Sequence, residues 1–425
     1  MRSVYTSLFY ASLPWVLARL LWRSQANPGY RDRIAERLGF YSGPPRPVDV
    51  WIHAVSVGEA EAAFSLIATL RRHTPARILV TTTTPTGSAR VRKVLGDTVE
   101  HVFLPYDLPD AVGRFLGHFS PRAAVIMETE IWPNLFTACR KRGIPLLIAN
   151  ARLSERSARR YACIRGTLRS LLAGVDIAAQ TEADAQRFVT IGADPATITI
   201  TGNLKFDAAP DASVRAGGAA LKRALFQERP VWLAASTHRG EEKAVLEAFS
   251  RIRSRYPELL LVIAPRHPER FEEVARLAAA AGHRVARQTQ AGKAVPGAFE
   301  IFLLDTLGDL VRFYAASDIA FIGGSLVDVG GHNVVEPALA ETAIVFGPYT
   351  RNFQQICDDL EGGGAAVRVR DSGELAAAVG RLVADGVSRG DMVQQALAFV
   401  KRNRGAAERH WRILARHFGE SFQSH

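Results

Sequence analysis

Trp51–Phe64 reads WIHAVSVGEAEAAF: an apolar run, a turn through Ser56–Gly58, then a stretch of helix formers. The run does not alternate polar with apolar residues. Such a strand is buried on both faces, and its direct passage into a helix makes it one half of a strand–helix–strand crossover. The same rhythm continues along the chain. Candidate strands lie at 49–55, 76–82, 99–104, 123–127, 145–149, 176–179 and 197–201, with helices between most of them, among them 59–72 and 134–142. The second half repeats the scheme, with strands at 231–235, 259–264, 300–304, 318–322 and 343–346 and helices at 241–253, 269–281 and 336–341. This alternation predicts an α/β fold whose parallel sheets are covered on both faces.

Residues 207–229 are rich in Ala, Pro, Asp and Gly without an apolar period, and they form the seam. The chain then divides into an N-terminal anchor with a basic flank (1–40), a Rossmann-like domain (41–206), a linker (207–229), a second Rossmann-like domain (230–390) and a C-terminal helix (391–425) expected to return to the first domain. Two such domains facing across a cleft is the simplest arrangement. Ligands of open α/β sheets bind beyond the carboxyl ends of the strands, so functional residues are expected in the strand-to-helix loops.

Of 425 residues, 48% are hydrophobic and 22% charged, which is globular composition and excludes long disorder. Ordinary numbers of glycine and proline, 34 and 21, exclude collagen-like and low-complexity classes. The net charge of +11 favours anionic partners: nucleic acid, acidic lipid or phosphorylated substrates. No nucleic-acid module signature is present, so nucleic acid is not expected. Cys139, Cys163 and Cys357 are far apart, with neither a disulfide framework nor zinc spacing, which points to a reducing compartment. No metal site is expected.

Val4–Trp22 is the most apolar stretch of its length in the chain. It approaches the ~20 apolar residues that cross a bilayer core, although Pro14 breaks it and Arg19 sits inside it. Tyr5, Phe9, Tyr10, Trp15 and Trp22 give it the character of an interfacial anchor. The segment reads as an uncleaved anchor, spanning the bilayer or lying in its interface. The alternative is an amphipathic helix packed on the protein itself.

Several loops could carry chemistry. Glu59 opens a helix after Gly58, either as a general base at a cleft rim or as the acidic half of the capping box Ser56-x-x-Glu59. Thr81–Arg90 offers hydroxyls and free N–H groups at a helix start, or ordinary capping. Glu128 and Glu130 leave a strand together, followed by Trp132, a platform for a sugar ring. Lys205, in GNLKFD, either grips an anion as a point charge or is a solvated lysine. In the second half Arg266 can hold phosphate oxygens bidentately, with His238 and His267 as weaker candidates. The glycine-rich Gly323–Glu341 enters a helix capped at Asn333, where N–H groups attract phosphate and Glu336 can bind ribose hydroxyls. No phosphate-binding loop of the Walker type is found, and no DxD pair stands at a strand exit.

In this order SVGE, TTTTPTGSAR, LPYDLP, ETEIWPNL, NARLSERS, GNLKFD, STHRGEE, PRHPERF, DTLGDL and GGSLVDVGGHNVVEPA resemble the Kdo (3-deoxy-D-manno-octulosonic acid) transferases, from the anchor to about residue 350. The resemblance implies a GT-B glycosyltransferase without metal or other cofactor, its first domain binding the acceptor and its second the CMP-sugar. It would move Kdo from CMP-Kdo to lipid IVA with inversion, on the cytoplasmic face of the inner membrane, in lipopolysaccharide synthesis. It implies Glu59 as base, with Glu128 and Lys205 stabilising the transition state. It also implies a CMP site at Pro265 and Arg266, at Leu307, Gly308 and Asp309, and at Asn333, Val334, Val335 and Glu336. Two departures stand out: Asp309 where the family often has Glu, which leaves room for a bridging water, and Val334–Val335 where it has Pro-Leu. Alternatives that keep the fold are another sugar transferase or an epimerase, and a membrane-bound nucleotide-binding protein without catalysis.

Overall fold

A computed structural model of the chain describes residues 2–26, 28–207, 212–293 and 298–418. The end of the expected C-terminal helix, 419–425, lies outside them. Two compact units are formed, Met1–Ala208 with Asn403–His425, and Ala209–Arg402.

Unit 1 holds a seven-stranded sheet: β1 (Val50–His53), β2 (Ile78–Thr82), β3 (Glu100–Phe103), β4 (Ala123–Met127), β5 (Leu146–Ala151), β6 (Asp176–Ala179) and β7 (Ile198–Ile200). The order is β3-β2-β1-β4-β5-β6-β7, with every pairing parallel. Alternate residues feed two cores. Trp51 joins Phe115, Phe119 and Phe136 on one face. Val50 and Ile52 join Leu66 and Leu70 on the other, where Trp411 and Leu414 of the helix Ala406–Ala415 complete the cover. Each such side chain, once buried, contributes about 1.5–3 kcal/mol of transfer free energy.

Unit 2 holds β8 (Val231–Thr237), β9 (Leu260–Pro265), β10 (Val285–Arg287), β11 (Ile301–Leu303), β12 (Ile319–Ile322), β13 (Ala343–Phe346) and β14 (Ala366–Arg368), in the order β10-β11-β9-β8-β12-β13-β14, again parallel. Both sheets are doubly wound, as the alternation of apolar runs and helices predicts. The chain order reverses between β1 and β4 in unit 1 and between β8 and β12 in unit 2. At such a switch the flanking loops leave on opposite sides and open a crevice.

One segment differs from its reading. Residues 207–229 are not a plain linker: Ala212–Leu221 is an α-helix, continued by a wider turn through Phe226. It shows no apolar period because small residues make its contact. A Cβ on Gly218 would stand 2.5 Å from the Ala315 side chain and 2.7 Å from its carbonyl carbon. Lys222 anchors the turn by an ion pair to Asp318 at 2.9 Å.

The N-terminal segment forms one helix, Arg2–Ala26, with Pro14 inside it, long and apolar enough to cross a membrane. Thr6 Oγ1 donates to Asn134 Oδ1 (3.0 Å) and Tyr10 to Asp110 (2.5 Å), so the helix is docked on unit 1.

Candidate active site

In unit 1 the switch-point loops are those after β1 and β4, and they carry Glu59 and Glu128. Glu59 lies in the first turn of the helix Val57–His73, whose N-cap Ser56 accepts from the Glu59 N–H. In return Glu59 Oε1 accepts the Ser56 hydroxyl at 3.1 Å and Oε2 the Val55 N–H at 2.8 Å. The capping geometry is therefore real, and it fixes the carboxyl group without exhausting its lone pairs. Burial, followed by the charges of Glu128 and Glu130, raises the Glu59 pKa to about 8, although the Val55 N–H works against the shift. Loss of water around a carboxyl group disfavours its charged form, and like charges add to that.

Glu128 sits at φ 56°, a left-handed conformation that is costly for any residue with a Cβ. Its N–H donates to Ala149 O at 2.9 Å, which holds the turn. Two residues on, Glu130 accepts the Trp132 indole N–H at 2.7 Å. The Thr81–Arg90 loop buttresses this wall: Thr84 caps its helix through Gly87 N–H, while Thr83 and Thr84 hydroxyls donate to Val55 O. His53 is fully buried, its Nδ1 2.8 Å from Thr81 Oγ1, and burial holds its pKa at about 3. It is a neutral core histidine.

Lys205 belongs to the turn Leu204–Asp207, which packs against the Val57–His73 helix, so unit 1 brings this turn to the Glu59 helix. Its placement depends on a buried chain of bonds that the sequence does not reveal. His410 Nδ1 donates to Ala406 O, and its Nε2 accepts the Asn150 N–H at 2.9 Å. Asn150 Oδ1 accepts Leu204 N–H, Asn150 O accepts Gln180, Gln180 accepts Asn203 Nδ2, and Asn203 Oδ1 accepts Lys205 N–H. Asp207 in turn accepts the N–H groups of Gly405 and Ala407. Burial keeps the His410 pKa at about 4, so the ring is neutral and can accept.

Replacing His410 by Leu should leave the buried Asn150 N–H unpaired, at about 1–3 kcal/mol, and lower the melting temperature by roughly 2–10 °C. Because folding depresses the pKa, wild type loses this contribution as the pH falls from about 6.5 towards 4. The gap in melting temperature between wild type and variant, followed by calorimetry, should narrow over that range.

In unit 2 the expected residues fall on loops after β9, β11 and β12, at the carboxyl edge of one sheet. Pro265 ends β9, and Arg266 beyond it is exposed, its N–H bound to Thr237 O at 3.0 Å. Leu307 is exposed, Gly308 takes φ 93°, and Asp309 accepts the Thr306 hydroxyl at 2.6 Å. Asn333 Oδ1 accepts the Val335 N–H at 3.0 Å, while Asn333 Nδ2 donates to Glu336 at 2.9 Å. The backbone boundary of the helix Val335–Leu339 is Val334, one residue later than expected, because Asn333 caps through a turn of its own side chain. Val334 and Val335 point into the core, so only their backbone is available to a ligand.

At the unit 2 switch point His238 and His332 stack with Nε2 atoms 2.9 Å apart, so one ring donates and the other accepts. Burial lowers both pKa values, that of His332 to about 4. Gly324, at φ 66°, passes beneath them, and a Cβ there would lie 3.1 Å from the His332 ring. Glu241, whose role leaves no local pattern in the sequence, organises the whole loop. Fully buried, it accepts the N–H groups of His238, Gly324, Ser325 and Leu326 at 2.7–3.0 Å. Among the described residues no cluster of three or more His, Cys, Asp and Glu with metal-holding geometry is found.

A family model described as 3-deoxy-D-manno-octulosonic-acid transferase (kdotransferase) matches residues 32–208. A 3-deoxy-D-manno-octulosonic acid transferase of Haemophilus influenzae is 39% identical over 414 residues, 96% of this chain and 96% of its own. One of Bordetella pertussis is 37% identical over 424 residues, covering 96% and 97%. Among solved structures, a UDP-GlcNAc 2-epimerase from Neisseria meningitidis bound to UDP-GlcNAc superposes with TM-score 0.59 at 13% identity, covering 87% of this chain and all of that one. That likeness speaks for the GT-B fold alone.

Proposed function

The chain belongs to the 3-deoxy-D-manno-octulosonic acid (Kdo) transferase family, glycosyltransferases of lipopolysaccharide synthesis, and on that premise we propose that it moves Kdo from CMP-Kdo to lipid IVA with inversion and without a metal. The observation that carries this reading is Glu59, a fixed carboxyl group with a pKa near 8 at the unit 1 switch point. A general base works best when its pKa is close to the operating pH. Glu59 takes the proton of the acceptor hydroxyl as that oxygen bonds to Kdo C2. The bond from C2 to phosphate breaks on the opposite side, and CMP leaves with the electron pair. Glu128 faces the developing positive charge of the ring, and Lys205 holds an anionic group of donor or acceptor.

The leaving group is a single phosphate, so one guanidinium and backbone N–H groups suffice to receive its charge. Arg266 has that role, with the loop before Val335. Asn333 and Glu336 hold the ribose, and Leu307 to Asp309 border the base. The helix Arg2–Ala26 keeps the enzyme on the cytoplasmic face of the inner membrane, where its anionic acceptor resides.

Saturating CMP should raise the melting temperature, and UDP should not. Arg266→Ala should weaken CMP binding at least about tenfold, the loss expected for one charge-assisted pair. Calorimetric titration checks both. Equal stabilisation by UDP would favour a different sugar-nucleotide enzyme. Transfer itself is tested with CMP-Kdo generated in situ, lipid IVA and mass spectrometry of the product.

A further inference from the structure

A cavity of about 350 Å³ in unit 1 is left unused by this chemistry. It lies between the helix Arg2–Ala26, which supplies Phe9, the loop at Trp132, the helix Glu155–Ala162, which supplies Tyr161, and the helix Arg165–Leu172, which supplies Thr167 and Leu171, with Ile164 between the last two. The charged group in its wall, Asp107, is already engaged, its two oxygens accepting the N–H groups of Asn134 and Leu135 at 3.0 and 2.8 Å. Among the described residues, no side chain lining the cavity leaves a buried polar atom unpaired. Aromatic and aliphatic side chains make up most of the wall, and a predominantly apolar wall suits an apolar occupant.

Three further observations say which one. Trp132 belongs both to the cavity and to the active-site wall, since its indole N–H donates to Glu130, one of the charges that raise the Glu59 pKa. The helix Arg2–Ala26 presents Val4, Leu8, Trp15 and Trp22 outward, at 62, 66, 64 and 69% exposure. Spacings of four, seven and seven put all four on one face, while Phe9 of the same helix lines the cavity. The helix thus stands between an apolar medium and an apolar pocket. The segment 152–173 that forms the far wall carries six arginines against one glutamate, and Arg156, Arg159, Arg160, Arg165 and Arg169 are exposed. An apolar slot whose wall segment also carries exposed arginines matches an acylated anionic lipid.

We propose that this cavity receives an acyl chain of the glycolipid acceptor while the arginines of 152–173 receive its anionic groups. The identity of the acceptor rests on the proposed function; the slot and its chemistry do not. Drawing one chain beside Trp132 would hold the sugar head near Glu59, so acylation becomes a determinant of acceptor choice.

The test uses the full chain in detergent, a lipid IVA analogue with a diazirine in one acyl chain, and mapping of adducts by mass spectrometry. Adducts are expected on the peptides containing Trp132 and Ile164–Leu171. Thr167→Trp, which fills the slot, should reduce them about tenfold, equivalent to losing the burial of two methylenes. The same variant should raise KM for acylated acceptor relative to O-deacylated acceptor by a similar factor. Ile164→Glu, at a partly exposed position, serves if the first variant does not fold. Adducts confined to the outward face of the N-terminal helix, or labelling unchanged in both variants, would overturn the proposal. Slot labelling without any sugar transfer would support the slot and count against the proposed reaction. Full transfer with an unlabelled slot would do the reverse.

Discussion

Glu59→Gln should abolish Kdo transfer, lowering kcat about 10³–10⁴-fold while CMP binding stays within twofold of wild type. The amide keeps the size of the side chain and can still accept the Val55 N–H, so the helix start survives. It cannot take a proton. The Ser56 hydroxyl and Val55 N–H that fix the carboxyl group are local, within four residues, so the melting temperature should fall by only a few degrees. Single-turnover transfer on lipid IVA measures the rate, and titration with CMP measures binding. A variant retaining a tenth of wild-type activity would remove Glu59 from the role of base.

The largest effect on stability is expected at Glu241→Ala. Four backbone N–H groups converge on this buried carboxylate, and truncation leaves all of them without a partner. Breaking a buried charged group's bonds in this way costs about 3–5 kcal/mol. The melting temperature should drop by roughly 10 °C. Nucleotide affinity should fall with it, because the same bonds shape the loop from Gly323 and the ring pair His238–His332. Glu241→Gln should also destabilise, since its amide N–H₂ would face N–H donors. Calorimetry with and without CMP distinguishes these outcomes from a surface role, which would leave the transition within about 2 °C.

The strands were legible because each buried parallel strand must be a short unbroken apolar run. β10 and β14 escaped notice for the same reason: each has three residues and includes an arginine, at a sheet edge where burial is incomplete. The helix at 212–221 was missed because its contact sets Gly218 against Ala315 rather than using a large apolar stripe. Glu59 and Glu128 could be picked out since polar residues at strand exits stand where such sheets bind ligands. Their mutual influence could not, because it arises only when the β1 and β4 loops meet at the switch point. Glu241 carries no sequence signal beyond an acidic residue at a helix start, because three of its four donors lie 83–85 positions away. The His410–Asn150 bond joins residues 260 apart. Contacts of that separation leave no local pattern to read.

A base with a raised pKa sets the pH dependence of kcat/KM for transfer from CMP-Kdo to lipid IVA. Glu59 must be ionised to accept a proton, and burial with neighbouring charge holds its pKa at about 8. A tenfold rise per pH unit below that value and a plateau above it are expected, with the inflection moving to lower pH in Glu128→Gln as one like charge is removed. A profile flat from pH 5 to about 9, the same in both proteins, would contradict it.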